Sequence, residues 1–239
     1  MSAIEPILAG LAEPGYRAVP AAEMKELLGR EALADWDPYA ASWNDLGVDQ
    51  FMADGGRYRR RRFGAFSVTA DAIVRKPHQP HYQGRDYNQL NGGIDRWFDP
   101  ITDPIAAHPV THRILTLCRT AFAGASGRQA PNAWDVEMHQ FRIEPDATHE
   151  GKPTPEGMHR DGVDWVLVAL VARHNVAGGV TAIGDQDQRP IGTMELHDPL
   201  DAVFLDDRRV WHGVTPLHAS RPGEPAYRDA LVVTFRAAR

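Results

Sequence analysis

The segment Gly157-Met158-His159-Arg160-Asp161-Gly162 decides which fold this sequence predicts. His159 and Asp161 are two residues apart, so in an extended segment both side chains lie on the same side of the backbone. An imidazole nitrogen together with a carboxylate oxygen suits iron, manganese, cobalt or zinc. His212, in Val210-Trp211-His212-Gly213-Val214, is the best candidate for a third ligand. Two histidines and one carboxylate make the facial triad that holds ferrous iron and leaves three coordination positions open.

A later segment predicts a strand with an arginine on its inner face. Alternation with a period of two puts one set of side chains on a common face: Arg228, Ala230, Val232, Thr234 and Arg236. An arginine that faces a barrel interior needs an anion, and a guanidinium makes two parallel charge-assisted hydrogen bonds to a carboxylate. We therefore expect Arg228 to bind a carboxylate, with Thr234 offering it a hydroxyl. Arg236, at the far end of the strand, is the competing arginine.

The composition is that of a folded protein without a basic surface. Of the 239 residues, 43% are hydrophobic and 24% are charged, and the net charge is -6. This balance argues against binding to nucleic acid or to an anionic membrane. Cys118 is the one cysteine, so no intrachain disulfide can form. Residues 1–13 lack the basic start of a secretory signal, and we expect a cytoplasmic enzyme.

The order of the predicted elements favours a β core with helices added at its N-terminal side. Helical periodicity covers residues 21–36, ended by Asp37-Pro38, and residues 104–123. The predicted strands are 57–69, 134–143, 164–171, 201–205 and 229–235. Short strands separated by turns indicate an all-β core with added helices (α+β), a jelly-roll or cupin-like barrel. We expect a single domain over residues 1–239, with 1–130 supporting the barrel and 131–239 forming most of its metal-bearing core.

Several of these stretches together resemble the non-haem iron dioxygenases that depend on 2-oxoglutarate. The resemblance is closest to the branch that contains bacterial hydroxylases of free L-amino acids, such as L-isoleucine dioxygenase. The matching stretches are residues 157–162, Arg173-His174-Asn175-Val176-Ala177-Gly178-Gly179, Leu205-Asp206-Asp207, Trp211-His212-Gly213-Val214-Thr215-Pro216, Arg228-Asp229 and Thr234-Phe235-Arg236. They cover the C-terminal half well and the N-terminal part only in general layout.

The resemblance implies a double-stranded β-helix with Fe(II) at one mouth. It maps His159, Asp161 and His212 to the metal ligands and Arg228 to the arginine that holds the distal carboxylate of 2-oxoglutarate. The implied reaction uses O2 to hydroxylate a small substrate, a free aliphatic L-amino acid, and releases succinate and CO2. Many relatives outside this branch carry a serine two residues after the arginine, where this chain has Ala230, and Thr234 is the substitute we consider.

Residues that contact the substrate are harder to select. Gln140 and Arg142 lie on a strand of the same barrel and are candidates, although an exposed polar edge fits them equally well. Tyr87, with Tyr82 and Asn88, lies in a proline-flanked loop over residues 77–93, and loops of this length often form lids.

The run Arg57-Tyr58-Arg59-Arg60-Arg61-Arg62 leaves two interpretations open. Basic residues interleaved with tyrosine can bind nucleic acid, but the acidic net charge favours a solvated strand face or a source of carboxylate-binding groups. Arg59 and Arg61 share one face of this strand, and Arg60 and Arg62 share the other.

Other functions stay open at this point. A non-catalytic cupin-like module that binds a metal or a small molecule is the alternative from a different class. A zinc-dependent hydrolase would use the same three ligands, but it lacks an obvious general base and gives Arg228 no role. A dioxygenase acting on proteins or nucleic acids shares the chemistry. The sequence does not give the oligomeric state, and a homodimer is one expectation that it leaves open.

Overall fold

The computed structural model describes residues 3–87, 90 and 92–238, and the elements below belong to these residues. The helices are α1 (Glu5–Ala12), α2 (Ala21–Leu28), α3 (Trp36–Ala41), α4 (Asp103–Ala106) and α5 (Pro109–Ser126). The strands are β1 (Tyr16–Val19), β2 (Arg59–Thr69), β3 (Ile73–Arg75), β4 (Ala133–Ile143), β5 (Trp165–His174), β6 (Val176–Gly178), β7 (Val180–Gly184), β8 (Pro190–Glu195), β9 (Ala202–Asp206), β10 (Trp211–Val214), β11 (Leu217–Ala219) and β12 (Tyr227–Ala237).

Two antiparallel sheets enclose a cavity. The major sheet has seven strands in the order β1-β9-β5-β12-β4-β2-β3, and the minor sheet has the order β10-β7-β8, with β11 and β6 paired beside it. A bridge between His159 and His212 adds the metal-ligand segment to the edge of the minor sheet. This is the predicted double-stranded β-helix. The division at residue 130 stays a prediction, because β2 and β3 from the N-terminal part complete the major sheet beside β4.

The major sheet is buried on both faces, and each face has a different purpose. Its outer face packs on α5, where Phe122 stacks on Trp165 with ring centroids 5.5 Å apart. Leu231, Val233 and Phe235 of β12 belong to this core, whereas the alternate side chains of β12 line the cavity. Period-two alternation therefore separates core packing from the cavity lining on β4 and β12.

The helices are more interrupted than the sequence periodicity predicted. The helix expected over residues 21–36 ends at Leu28, because Gly29 takes a φ of 79°. A second helix begins at Trp36, and Pro38 lies in its first turn, where proline is tolerated. The helix expected over 104–123 is divided because Pro109 holds His108 in an extended conformation.

No helix in the described part of the chain is both long and apolar enough to cross a membrane.

Candidate metal centre and cavity

The structure brings His159, Asp161 and His212 together at the edge of the minor sheet. Nε2 of His159 lies 3.7 Å from one carboxylate oxygen of Asp161, and Nε2 of His212 lies 3.6 Å from the other. Potential ligand atoms of all three side chains lie within 4.8 Å of one another. Three ligand atoms of nitrogen and oxygen type therefore converge on one point, as a facial metal triad requires.

The two imidazoles are held with Nε2 turned toward Asp161. Nδ1 of His159 donates to the carbonyl of Gly157 at 3.1 Å, so Nε2 is the atom that can bind a metal once the ring has lost its second proton. The backbones of His159 and His212 exchange hydrogen bonds of 2.9 and 3.0 Å, which fixes the spacing of the two backbone segments. A backbone carbonyl therefore orients the ring of His159, whereas Nδ1 of His212 has no hydrogen-bond partner among the described residues.

The charges at this centre favour a cation. Burial alone raises the pKa of Asp161, but His159 and His212 outweigh it and hold that pKa well below its usual range. Burial lowers the pKa of His159, but the adjacent Asp161 carboxylate reverses this and raises it to about 9. Burial and the positive charge of His159 lower the pKa of His212 to about 4. An ionised carboxylate between two imidazoles is the environment that a divalent metal ion occupies.

Asp207 holds the turn that presents Asp161. Its carboxylate accepts hydrogen bonds from the backbone N–H groups of Asp161, Gly162 and Val163 at 2.9, 2.8 and 3.0 Å. Burial and the charge of Asp161 raise the pKa of Asp207 to about 7. Gly162 has a φ of 77°, so the turn also requires a residue without a side chain. Asp207 belongs to a stretch quoted above, but the sequence alone gave it no role.

The cavity below the triad comprises about 1030 Å³, including its open mouth. Arg228 lies 3% exposed in its wall. Its Nε and one terminal nitrogen have no hydrogen-bond partner in the described part of the chain. The nearby carboxylates are already engaged, since Asp229 accepts from Arg142 and Glu195 pairs with Arg173. A buried guanidinium with unused donors is a site for a ligand carboxylate.

The other two side chains considered beside Arg228 also line the cavity, but neither lies next to Arg228. Thr234 lines the cavity, but it is six residues along the strand from Arg228, about 20 Å at roughly 3.3 Å per residue. The two side chains therefore do not share one carboxylate. Arg236 is exposed and donates to the carbonyl of Gly162 at 2.7 Å. Arg228 is the better placed arginine.

A second cationic group lies at the other side of the cavity, formed by Arg59, Arg61 and Arg96. All three are at most 5% exposed and line the cavity. The expected solvated face is thus wrong for Arg59 and Arg61, and the alternative of a carboxylate-binding group fits their position. Asp49 accepts from Arg59 at 2.7 Å and lies 3.6 Å from Arg61.

Two imidazoles and two carboxylates complete this side of the cavity. Nδ1 of His81 donates to Glu137 at 2.9 Å, and Nε2 of His139 lies 3.9 Å from the same oxygen. Glu156 also lines the cavity, with one oxygen 3.8 Å from Nε2 of His159. No role was predicted for these four residues, because they come from three separate segments of the chain and only the folded structure brings them together.

Gln140 and Arg142 do not reach the cavity. Gln140 donates to the hydroxyl of Ser42 at 2.9 Å, and Arg142 makes two bonds of 2.7 Å to Asp229. Both face the helices, because the cavity face of β4 carries the odd-numbered side chains Glu137, His139, Phe141 and Ile143. Side chains on β4 alternate between the two faces as predicted, but Gln140 and Arg142 lie on the face opposite to the cavity.

Tyr87 lies at the rim and not in the cavity wall. It is 47% exposed, and its ring lies against Gly162, where an added Cβ would come within 2.6 Å of it. Tyr82 from the same loop lines the cavity. Asn88 lies outside the described residues.

These features fit Fe(II) and 2-oxoglutarate. The triad offers nitrogen and oxygen ligands with one ionised carboxylate, and the orphaned nitrogens of Arg228 offer paired donors for the distal carboxylate of the co-substrate.

The fold and this site define the class of non-haem iron oxygenases. The chain matches the family model described as 2OG-Fe dioxygenase over residues 40–234 and belongs to that family, which uses Fe(II), 2-oxoglutarate and O2. It is similar to the L-isoleucine-4-hydroxylase of Bacillus thuringiensis, with 28% identity over 184 residues that cover 75% of each chain. It is also 22% identical to the 3(1)-hydroxy-L-isoleucine 4-dioxygenase of Pantoea ananatis over 158 residues, 66% of this chain and 64% of the other.

A solved structure extends the similarity over nearly the whole chain. The crystal structure of a bsmA homolog from Methylobium petroleophilum PM1 is 36% identical, with a TM-score of 0.85, covering 97% of this chain and 92% of the other. The family, the enzyme class and the fold expected from the sequence are confirmed.

Proposed function

We propose that this enzyme hydroxylates a free aliphatic L-amino acid, with His159, Asp161 and His212 holding Fe(II) and Arg228 holding 2-oxoglutarate. Succinate and CO2 are the products released from the co-substrate. The observation that carries the site assignment is the convergence of the triad and the unpaired Arg228 guanidinium on one cavity. When bound, iron and 2-oxoglutarate supply the oxidising power that inserts an oxygen atom from O2 into a C–H bond.

The residues of the chain perform the binding and shielding. Gly157 keeps Nε2 of His159 directed at the metal position through its carbonyl, and Asp207 holds the backbone that carries Asp161. Val168, Val214 and Val232 give the cavity apolar walls. Such walls accept an aliphatic side chain and keep water away from the oxidising centre.

The substrate class is inferred from two relatives and from the cavity. Both curated relatives act, by their names, on L-isoleucine or a hydroxylated L-isoleucine. The cavity here combines apolar walls with arginines and carboxylates, which suits a small zwitterion with an aliphatic tail.

Succinate formation tests the proposal. Purified protein with Fe(II), 2-oxoglutarate and ascorbate is offered a panel of free L-amino acids, beside the variants Asp161→Ala and His212→Ala. His149→Ala is the matched control, since that side chain is 75% exposed. We expect substrate-dependent succinate from the wild type and His149→Ala and none from the triad variants. Succinate formation that survives Asp161→Ala, or that no amino acid stimulates, would contradict the proposal.

A further inference from the structure

We propose that the cavity binds its substrate as a zwitterion, with Arg61 and Arg96 holding the α-carboxylate and Glu137 holding the α-ammonium. The inference rests on the proposed function, because it takes the substrate to be a free amino acid. It assigns the substrate's charged end to the side of the cavity formed by β2, β4 and the segment that leads to Phe98.

Arg61 is fixed in one orientation with donor capacity left over. Its guanidinium carbon lies 3.6 Å from the ring centroid of Phe98 and 4.5 Å from that of Phe141, so the group is clamped between two rings. One terminal nitrogen donates to Nδ1 of His139 at 2.7 Å. Its Nε has no hydrogen-bond partner among the described residues. A guanidinium held this rigidly loses little freedom when it binds a carboxylate.

Arg96 supplies the second donor and an excess of positive charge. It is 2% exposed, and within the described part of the chain its Nε also has no partner. It bonds the amide oxygen of Gln83 at 3.4 Å, a neutral partner. The buried carboxylate of Asp49 already accepts from Arg59. Burial and the neighbouring charge of Arg59 lower the pKa of both Arg61 and Arg96, as expected where positive charge is not fully compensated.

Glu137 is a carboxylate of the same cavity wall, and its charge acts on both arginines. One of its oxygens accepts from Nδ1 of His81 at 2.9 Å. Burial lowers the pKa of His81, so this imidazole stays neutral and leaves the negative charge of Glu137 available for a cation. His139 connects the two sides, since it contacts Arg61 through Nδ1 and lies 3.9 Å from Glu137 through Nε2.

The two subsites are adjacent, as the two charged groups of an α-amino acid must be. Arg96 and His81 form an antiparallel bridge and exchange backbone hydrogen bonds of 2.9 and 3.0 Å. Directly opposed residues of an antiparallel pair project to the same face, so the side chain of Arg96 lies beside the imidazole that binds Glu137. The α-carboxylate and α-ammonium of an amino acid are separated by a single carbon atom.

This subsite is separate from the one assigned to 2-oxoglutarate. In the sheet register, Arg61 is opposite Phe141, and Phe141 is opposite Ala230, which is two residues along β12 from Arg228. Two inter-strand steps of roughly 4.8 Å and two residues of roughly 3.3 Å therefore separate the backbones of Arg61 and Arg228 by about 12 Å. One cavity thus has two anion sites, one for each carboxylate-bearing molecule of the reaction.

A second group of side chains has the spacing of a metal site. One potential ligand atom from each of His81, Glu137 and His139 lies within 4.8 Å of the other two. Two features favour an organic cation there. Nδ1 of His139 accepts from Arg61, so Nε2 carries the ring proton and offers no lone pair. Arg61 and Arg96 would also repel a divalent ion more strongly than a single ammonium.

Calorimetric binding to the enzyme loaded with Fe(II) and 2-oxoglutarate, without oxygen, tests the assignment. Three ligands are compared: L-isoleucine, 3-methylpentanoate, which lacks the ammonium, and L-isoleucinol, which lacks the carboxylate. The variants are Arg96→Gln and Glu137→Gln, with Arg96→Lys and Arg61→Lys in case the first does not fold. Arg60→Gln is the control, because Arg60 lies on the same strand, faces the other way and pairs with Glu144.

The two variants are expected to weaken the binding of different ligands, a crossed pattern. Arg96→Gln weakens L-isoleucine and 3-methylpentanoate by roughly 100-fold and leaves L-isoleucinol unchanged, whereas Glu137→Gln weakens L-isoleucine and L-isoleucinol and leaves 3-methylpentanoate unchanged. The lysine variants weaken the carboxylates less than glutamine does, and Arg60→Gln matches the wild type.

Three binding results would overturn the assignment: an equal loss of affinity for all three ligands in Arg96→Gln, wild-type affinities in both variants, or no binding of the ligands to the wild type. Loss of a second bound metal ion in Glu137→Gln would also overturn it. The proposed function fails separately. If the crossed pattern appears but no amino acid yields succinate, the subsite stands and the hydroxylase assignment falls. If amino acids yield succinate without the pattern, the reverse holds.

Discussion

At the scale of single residues, the site depends on charges left unbalanced inside the protein. Arg228 is buried, and two of its nitrogens have no hydrogen-bond partner among the residues that the structure describes. A buried polar group without a partner costs free energy, and in the proposed site the carboxylate of 2-oxoglutarate would remove this cost. Asp207 shows the opposite arrangement, since its carboxylate is saturated by three backbone donors and is 2% exposed.

Replacing Arg228 tests which arginine holds the co-substrate. We expect Arg228→Gln to raise the KM for 2-oxoglutarate by roughly 100-fold, because a buried charge-assisted contact is lost. Arg236→Gln is expected to change that KM by less than about threefold, because an exposed charge contributes little. Succinate formation at varied 2-oxoglutarate measures both, and the opposite ranking would assign the carboxylate to Arg236.

Replacing Asp207 tests its role behind the metal ligand. Asp207→Asn introduces an N–H group against backbone donors, so the turn carrying Asp161 should loosen and metal affinity should fall by about 10- to 100-fold. Titration with Mn(II) measures the affinity. Asp187→Asn, on the exposed turn between β7 and β8, is the control. Unchanged affinity in Asp207→Asn would show that the turn holds its form without this carboxylate.

The convergence of His159, Asp161 and His212 and the inward position of Arg228 could be predicted from the sequence, because local spacing and order along the chain carry the information. His159 and Asp161 are two residues apart, and strand alternation places Arg228 inward. The residues on the β2 side could not be predicted in this way. Arg96, His81 and Glu137 come from three separate segments, and a bridge and a strand register bring them together.

At the scale of elements, β4 shows how one strand serves two purposes. Its odd-numbered residues from Glu137 to Ile143 line the cavity, and its even-numbered residues pack toward the helices. Arg142 and Asp229 form a buried ion pair on that second face, with distances of 2.7 Å. We therefore assign Arg142 to stability.

Breaking this pair should destabilise the protein. Arg142→Ala leaves Asp229 buried without its partner, and we expect unfolding to become easier by about 3 to 5 kcal/mol. Urea unfolding measures the loss. The double variant Arg142→Met/Asp229→Leu should recover most of it, because an apolar pair needs no charge compensation. If the double variant is no more stable than Arg142→Ala, the ion pair is not the cause.

The five central strands of the major sheet were easier to predict than its edge strands, the short strands of the other sheets or the helices, for a physical reason. Apolar runs such as residues 164–171 mark strands buried on both faces, and β5 follows that run closely. Helix ends depend on single residues, which hydrophobic periodicity does not detect. Gly29 ends α2 through its positive φ, and Pro109 separates α4 from α5.

At the scale of the whole molecule, metal binding contributes to stability. An ion that binds only the folded protein at 100 times its Kd adds about 2.7 kcal/mol, which for a domain of this size corresponds to a rise in Tm of about 5 to 11 °C. We expect Mn(II) to produce this rise in the wild type and in His149→Ala, but not in His212→Ala. A rise that is lost in Glu137→Gln instead would place the ion at the second histidine cluster.

The buried carboxylate of Asp49 makes global stability depend on pH. Burial raises its pKa, but Arg59 and Arg61 outweigh this and hold the pKa below its ordinary value. The folded pKa is therefore below the unfolded one, so the stabilisation is complete above about pH 5 and is lost as the pH falls through the folded pKa.

Asp49→Asn should therefore be less stable than the wild type by about 3 kcal/mol at pH 7, because two buried guanidiniums lose their counter-charge. The difference should be the same at pH 5.5 and should shrink below about pH 4. Urea unfolding across this range measures it. Asp45→Asn, with a side chain that is 85% exposed, should cost less than about 1 kcal/mol at every pH. A difference that does not vary with pH would contradict the electrostatic origin.

The two-sided major sheet has a consequence for how this enzyme can change. On β4 and β12, positions that line the cavity alternate with positions that pack against the helices. A new substrate preference can therefore evolve through changes at every second position without loss of the fold. A library randomised at positions 139, 141, 230 and 232 should consist mostly of folded proteins, whereas one at 138, 140, 231 and 233 should consist mostly of unfolded chains.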